Sequence, residues 1–359
     1  MDFSVDPAAL RAYASQLGGD DHAAVRRAKE YVHRHGDFRL HDQGLIGFVF
    51  PFHRDLMAAL DQRLGHLAEV LSTSQTELNK TADYYERTEL SVASAVDATY
   101  PHVTRPAGSE DQEPPSTGSR SDDPARHLVP PGEPEDSITN GFANPLDLLN
   151  LASPSAYLNA VIEGLTQVDV FGWMTECLAG DWRALYRFGD ALGNLGDCLH
   201  ELGINIQQGA TNLGGRWHGN AADAADVYFS DLATAAMGQK AGLYALRDSY
   251  HRAAVGAWEL SNQLGNILQA VADRAILAGI AAAAGTITAE SGVGALVGYG
   301  LTALLVLDML QKINSAAVKI QVAGGVILGL FGGAMDAFLQ GGDLSRVPLP
   351  AGSYDHPAV

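Results

Sequence analysis

Two apolar seams constrain this chain more than any other feature. The first is Met57, Leu60, Leu64, Leu67, Leu71, Ser74, Leu78 and Tyr85; the second is Leu185, Phe188, Leu192, Leu195, Leu199, Leu202, Ile206 and Leu213. In both, the intervals alternate between three and four, with one interval of seven. That spacing places a residue of every turn on a single helical stripe of period near 3.5. A strand would instead alternate at every second position, and no strand–helix alternation or Asn-Gly hairpin is present. Each seam has a second long helix beside it in sequence. Two antiparallel helices of this length form an incomplete bundle whose shared seam needs a partner. The expected fold is therefore all-α, with two long helical hairpins pairing into a four-helix bundle.

The rest of the chain arranges itself around those hairpins. The first unit covers 1–100 and opens on Asp6-Pro7, an N-cap followed by a proline at the first helical position. Gly18-Gly19 marks a candidate interruption of its first helix, and a glycine-containing loop, LHDQGLIGFVFPF, leads into the second. Residues 101–145, beginning PHVTRPAGSEDQEPPSTGSRSDDPARHLVPPGEPEDS, are rich in Pro, Ser, Gly and acid. Such a segment buries too little apolar surface to offset its ordering entropy, so it reads as a disordered linker. The second hairpin occupies 146–270, with a short helix over 156–178 and a long one from 181 to about 214. An apolar, Ala- and Gly-rich helical segment follows over 271–340, and an extended tail over 341–359.

The turn inside the second hairpin reads GGRWHGNAADAADVYFSDL, with Trp217-His218-Gly219 at its centre. Here the sequence resembles the WXG family of type VII secretion substrates, whose helical hairpins carry a Trp-X-Gly motif in the connecting turn. Glycine permits the backbone excursion of a tight helix–helix turn, and tryptophan covers the end of a bundle core. The first unit, through FSVDPAALRAYASQL and Tyr85-Glu86-Arg87-Thr88-Glu89, resembles the small Esp-type partner proteins of the same ESX-like pathways. It has no tryptophan in its own turn. In that family a Tyr-x-x-x-Asp/Glu pattern belongs to the export signal, which Tyr85 and Glu89 match. The spacing puts both on one helix face, one turn apart, as a readable patch needs. Tyr244 and Asp248 repeat the pattern inside a long helix, a spacing that arises easily by chance. The resemblance implies an export signal shared between Tyr85, Glu89, Trp217 and Gly219. In an antiparallel pairing, Tyr85 lies near the Trp217 turn.

Composition excludes several other classes. A formal charge of −19 argues against nucleic acid and against electrostatic attachment to anionic lipid. The N-terminus, MDFSVDPAALRAY, has neither the basic nor the apolar region of a Sec signal peptide. His33, His35 and His41, with Asp37 and Asp42, follow no metal-ligand spacing. Gly292, Gly294 and Gly298 do not form a G-x-G-x-x-G loop and follow no strand. No nucleophile motif or paired-carboxylate site stands out, so the chain reads as a non-enzyme without metal or cofactor. Cys177 and Cys198 are too far apart along the helices for an intramolecular bridge.

The expectation is an exported interaction or assembly protein, secreted or held at the cell envelope of an actinobacterium. Its partners would be the type VII ATPase and membrane core, secretion partner proteins, or further copies of itself. Two alternatives stay open: a membrane-active effector that inserts or oligomerises through 275–339, and the delivery part of a polymorphic toxin. The uncharged runs in 275–339 are each shorter than the roughly 20 residues of a membrane span, so a buried soluble hairpin competes with lipid contact.

Overall fold

The computed structural model describes residues 3–37, 44–104, 122–132, 156–287, 293–339 and 349–356. The fold is all-α. Among the described residues the only sheet is a two-stranded ribbon, β1 (Ser4–Val5) against β2 (Trp217–His218). Asp6 accepts a hydrogen bond from the Ala8 amide at 3.0 Å and starts α1 (Pro7–Gln16), with proline at the first helical turn. The Gly18-Gly19 pair does not interrupt the rod. It widens into one π-helical turn, Leu17–Asp21, and the chain continues as α2 (His22–Gly36). The wider turn leaves Asp21 fully buried, where the Gln16 side-chain amide donates to it at 3.1 Å. Burial raises the Asp21 carboxyl to about 7, with the Gln16 and Asn205 amides opposing.

After a short 3₁₀ turn at Ile46–Phe48, α3 (Phe50–Arg87) runs back along the rod and α4 (Leu90–Asp97) finishes the first hairpin. Every residue of the first seam from Leu60 onward is buried. The expected short helix over 156–178 is two helices, α5 (Ala156–Thr166) and α6 (Val170–Leu178), broken at Gln167 with φ 60°. Helix α7 (Trp182–Gly214) starts on an Asp181 cap, and its whole seam is buried. Past β2, α8 (Asn220–Ile287) is 68 residues long, about 100 Å. It crosses residue 270 without a break, so the boundary expected there falls inside one helix. Helix α9 (Val293–Leu339) folds back along it.

The halves touch through specific groups. The Tyr13 hydroxyl donates to the Ile206 carbonyl at 3.0 Å, and the Gln16 amide to the Asn205 carbonyl at 2.9 Å. The buried His53 ring bridges the Gly36 carbonyl and the Tyr250 hydroxyl, both at 2.9 Å. Burial also lowers the His53 pKa, so the neutral ring is favoured there. Close approach of α1 to α7 needs Gly209, where a Cβ would sit 2.2 Å from the Tyr13 ring.

Part of the expected disordered linker is ordered. Residues 122–132 contain a 3₁₀ turn at Pro124–His127 that lies against α2 and α7. Tyr31 donates to the Val129 carbonyl at 2.7 Å, Asn205 to the Asp122 carbonyl at 2.9 Å, and Arg27 forks onto Asp123. Backbone hydrogen bonding from the body holds this stretch, so its lack of large apolar residues does not leave it free. The rest of 105–145, with His41, Asp42 and Gly292, lies outside the described residues.

Candidate functional site

The Trp217 turn is assembled from four separate parts of the chain. Helix α7 ends at Gly214, and Trp217 and His218 then pair antiparallel with β1, in the register Ser4 to His218 and Val5 to Trp217. The Asp6 amide extends the ribbon by donating to the Arg216 carbonyl at 3.0 Å. Gly219 follows at φ +137°, in a region that favours glycine, and a Cβ there would lie 2.6 Å from an Asp97 oxygen. That approach has a purpose. The Asp97 carboxylate accepts from the first two amides of α8, Asn220 at 2.8 Å and Ala221 at 3.0 Å. A carboxylate from the first hairpin thus caps the longest helix of the second, where the helix dipole favours negative charge. The Asn220 side chain returns a bond to the Asp97 carbonyl at 3.1 Å.

Tyr85 meets Trp217 edge-on, with ring centroids 6.1 Å apart. Both are buried, Tyr85 at 6% exposure and Trp217 at 1%. Phe3 packs on Tyr85 at 5.9 Å. Burial pushes the Tyr85 hydroxyl well above its ordinary pKa, with the Trp217 side chain opposing. Glu89 is separate from this cluster. Helix α3 stops at Arg87 and Thr88 is extended, so Glu89 precedes α4 as an exposed residue without a side-chain capping bond. The single helical face expected for Tyr85 and Glu89 does not exist, because the chain bends between them.

The fourth contributor is the C-terminal stretch 349–356, which lies across the turn. The His66 ring donates to the Pro350 carbonyl at 2.8 Å and the Tyr228 hydroxyl to the Gly352 carbonyl at 2.7 Å. The Tyr354 amide donates to Ser74 at 3.1 Å and the His356 amide to Glu77 at 3.3 Å. Ser74, a polar position inside the first seam, therefore marks where the tail docks. His356 stacks on Trp217 at 6.2 Å, and its Nε2 lies 3.0 Å from the Tyr85 hydroxyl. Burial pulls the His356 pKa down to about 4, against the attraction of Glu77, Asp97 and Asp355. Sequence reasoning missed Asp97, Tyr354 and His356; the polar Ser74 among seam leucines was the one local hint.

The chemistry of this end is packing and hydrogen bonding. The cavity under Trp217, lined by Leu213, Ala225 and Phe229 among others, holds about 10 Å³, room for no more than one water. Among the described residues no three His, Cys, Asp or Glu side chains converge as metal ligands. His33 pairs with Asp61 at 2.8 Å, and His35 packs on Tyr31. Cys177 and Cys198 are free thiols, the latter pushed by burial to about 12. Tyr244 is held by Asp197 at 3.0 Å under the Arg247 guanidinium, all within the α7–α8 pair. No known family model, curated protein or solved structure matches this chain.

Proposed function

We propose that this chain is a non-enzymatic interaction protein exported by a type VII secretion pathway, with the Trp217 end as its recognition element. The observation that carries the reading is the meeting of Tyr85 with Trp217, which come from the two motif-bearing hairpins. In this reading the hairpins of a partnered secretion pair are fused into one chain, and the recognised unit is the assembled end. Partners are the secretion ATPase and membrane core, and the destination is the cell envelope or the medium. Trp217 and Gly219 then act by building the end, because one is buried and the other admits Asp97. Glu89 is the one of the four proposed signal residues whose side chain a partner can touch directly.

That division makes the test specific. Glu89→Ala removes an exposed carboxylate that caps nothing, so melting should be unchanged within about 0.5 kcal/mol. Secretion by the native host should fall sharply. Normal secretion of a normally melting Glu89→Ala protein would overturn the assignment of Glu89 to the signal.

A further inference from the structure

The trough that holds 349–356 reads an extended peptide. The stretch runs in step with α3, with Pro350 at His66, Tyr354 at Ser74 and His356 at Glu77. From Pro350 to His356 an extended chain covers about 20 Å, and from His66 to Glu77 a helix rises about 16 Å, so the two keep pace. Backbone groups are taken at every second residue. The carbonyls of Pro350 and Gly352 accept from the His66 ring and the Tyr228 hydroxyl, and the amides of Tyr354 and His356 donate to Ser74 and Glu77. The side chains follow the same period: Tyr354 and His356 are buried, and Asp355 between them is exposed. Extended peptides are recognised in this way, with main-chain bonds giving affinity and pockets for alternate side chains giving specificity.

Two pockets receive those side chains. Tyr354 enters between Phe229 and Trp217, with ring centroids 5.6 and 6.5 Å away. His356 enters among Tyr85, Trp217 and Tyr100, and its Nε2 reaches the Tyr85 hydroxyl at 3.0 Å. The walls belong to α3, α8, the Trp217 turn and the end of the first hairpin, all distant in sequence from the stretch they hold. The trough is therefore a site built by the body, and 349–356 is its ligand in cis. A second copy of the chain presents the same ligand. When two chains exchange their stretches, every bond named above is kept between copies, and the assembly closes as a symmetric pair.

We propose that this trough is a peptide-binding site that takes 349–356 of a second copy, joining chains by reciprocal exchange. The proposal is independent of the export reading, since it concerns purified chains alone. The competitor is the chain's own stretch, which acts as a tethered ligand at about millimolar effective concentration. Vacating the trough therefore reveals its affinity for a ligand in trans.

Two full-length variants test it. The acceptor carries Tyr354→Ala with His356→Ala, which empties its own trough. A labelled peptide of sequence LPAGSYDH, residues 349–356, should bind the acceptor at least tenfold more tightly than it binds the parent. The Tyr354→Ala peptide should bind the acceptor at least tenfold more weakly than the unchanged one. The donor carries Glu77→Arg, which removes the acceptor of the His356 amide and frees the donor's stretch. Acceptor and donor should each sediment as single chains when alone and as a one-to-one pair when mixed. Melting curves show whether each is folded; His356→Ala alone and Ser74→Ala replace an acceptor or donor that is not. A folded acceptor that binds no peptide, or binds it no better than the parent, overturns the proposal. So does a peptide that binds while acceptor and donor stay apart, because the trough then serves a segment of another protein.

Discussion

At Asn220, helix α8 begins beneath β1, the Asp97 cap, Tyr85 and the docked C-terminal stretch; near Ile280 the same helix carries large aliphatic residues straight into solvent. Both regions are apolar in sequence, so composition does not separate them. The difference lies in layers. At the Trp217 end the first hairpin supplies a second layer, and the tail supplies a lid whose backbone groups are answered by Ser74, Glu77, Tyr228 and His66. At the distal tip α8 packs on α9, and among the described residues Ile276, Leu277 and Ile280 stay exposed. Two helices bury one stripe of each and expose the rest.

The largest contrast is in truncation. Trp217→Ala removes a fully enclosed indole and should cost about 3–5 kcal/mol, read by denaturant unfolding. Leu304→Ala should cost less than about 0.5 kcal/mol. Comparable losses at the two sites would erase the distinction.

Buried titratable groups should give the bundle a pH response. Asp21 titrates near 7 when folded against a reference of 3.8. Its neutral form is the one the fold prefers, so the stability it supplies is complete below about 4 and is lost as pH rises through 7. Asp21→Asn should therefore stabilise the protein by about 1–3 kcal/mol at pH 8, with the gain vanishing near pH 4. A gain constant across that range would contradict the burial of this carboxyl.

Gly219→Ala should cost about 2 kcal/mol, from the positive φ and the approach to Asp97. Asp97→Ala should cost about 1–2 kcal/mol through loss of the cap on α8. The double variant should cost less than the sum, because the second change removes the atom the new methyl meets. Strict additivity would show that Gly219 and Asp97 do not meet.

The smallest effect is local. His356 is neutral when docked, with a folded value near 4 against 6.5 when free. Its contribution is complete above 6.5 and is lost as pH falls toward 4, the reverse of Asp21. Amide exchange at Tyr354 and His356, corrected for intrinsic rates, should quicken over that window in the parent and stay flat in His356→Gln. Protection independent of pH in the parent would mean that the ring is not enclosed as described.

The seams were legible because a helical stripe repeats its signal once per turn, and Leu60 to Tyr85 and Leu185 to Leu213 supply that repetition. Trp217 and Gly219 were legible as a local motif. Asp97, Tyr354 and His356 were not, since each is a single residue whose partner is more than 100 positions away. The docking of 122–132 was hidden for a related reason. Its bonds run from Tyr31, Asn194 and Asn205 to backbone carbonyls, and a carbonyl carries no sequence signature. The bend at Thr88 was missed because no Pro or Gly marks it and a lone Thr also occurs within helices, and the unbroken passage of α8 past 270 was missed because the change of composition there carries no break in the backbone.

The central claim is that the N-terminal strand of the first hairpin closes on the Trp217 turn of the second, and one cross-link addresses it. Ser4 and His218 are paired across the ribbon, and paired residues of such a ribbon have α-carbons about 5.5 Å apart, within disulfide reach. In the double variant Ser4→Cys with His218→Cys, mild oxidation of the native protein should give a bridge between positions 4 and 218 of the same chain, identified by peptide mass mapping. Denaturing the protein before oxidation should abolish that preference. A native protein that leaves both thiols free, or bridges them only between chains, would contradict the account.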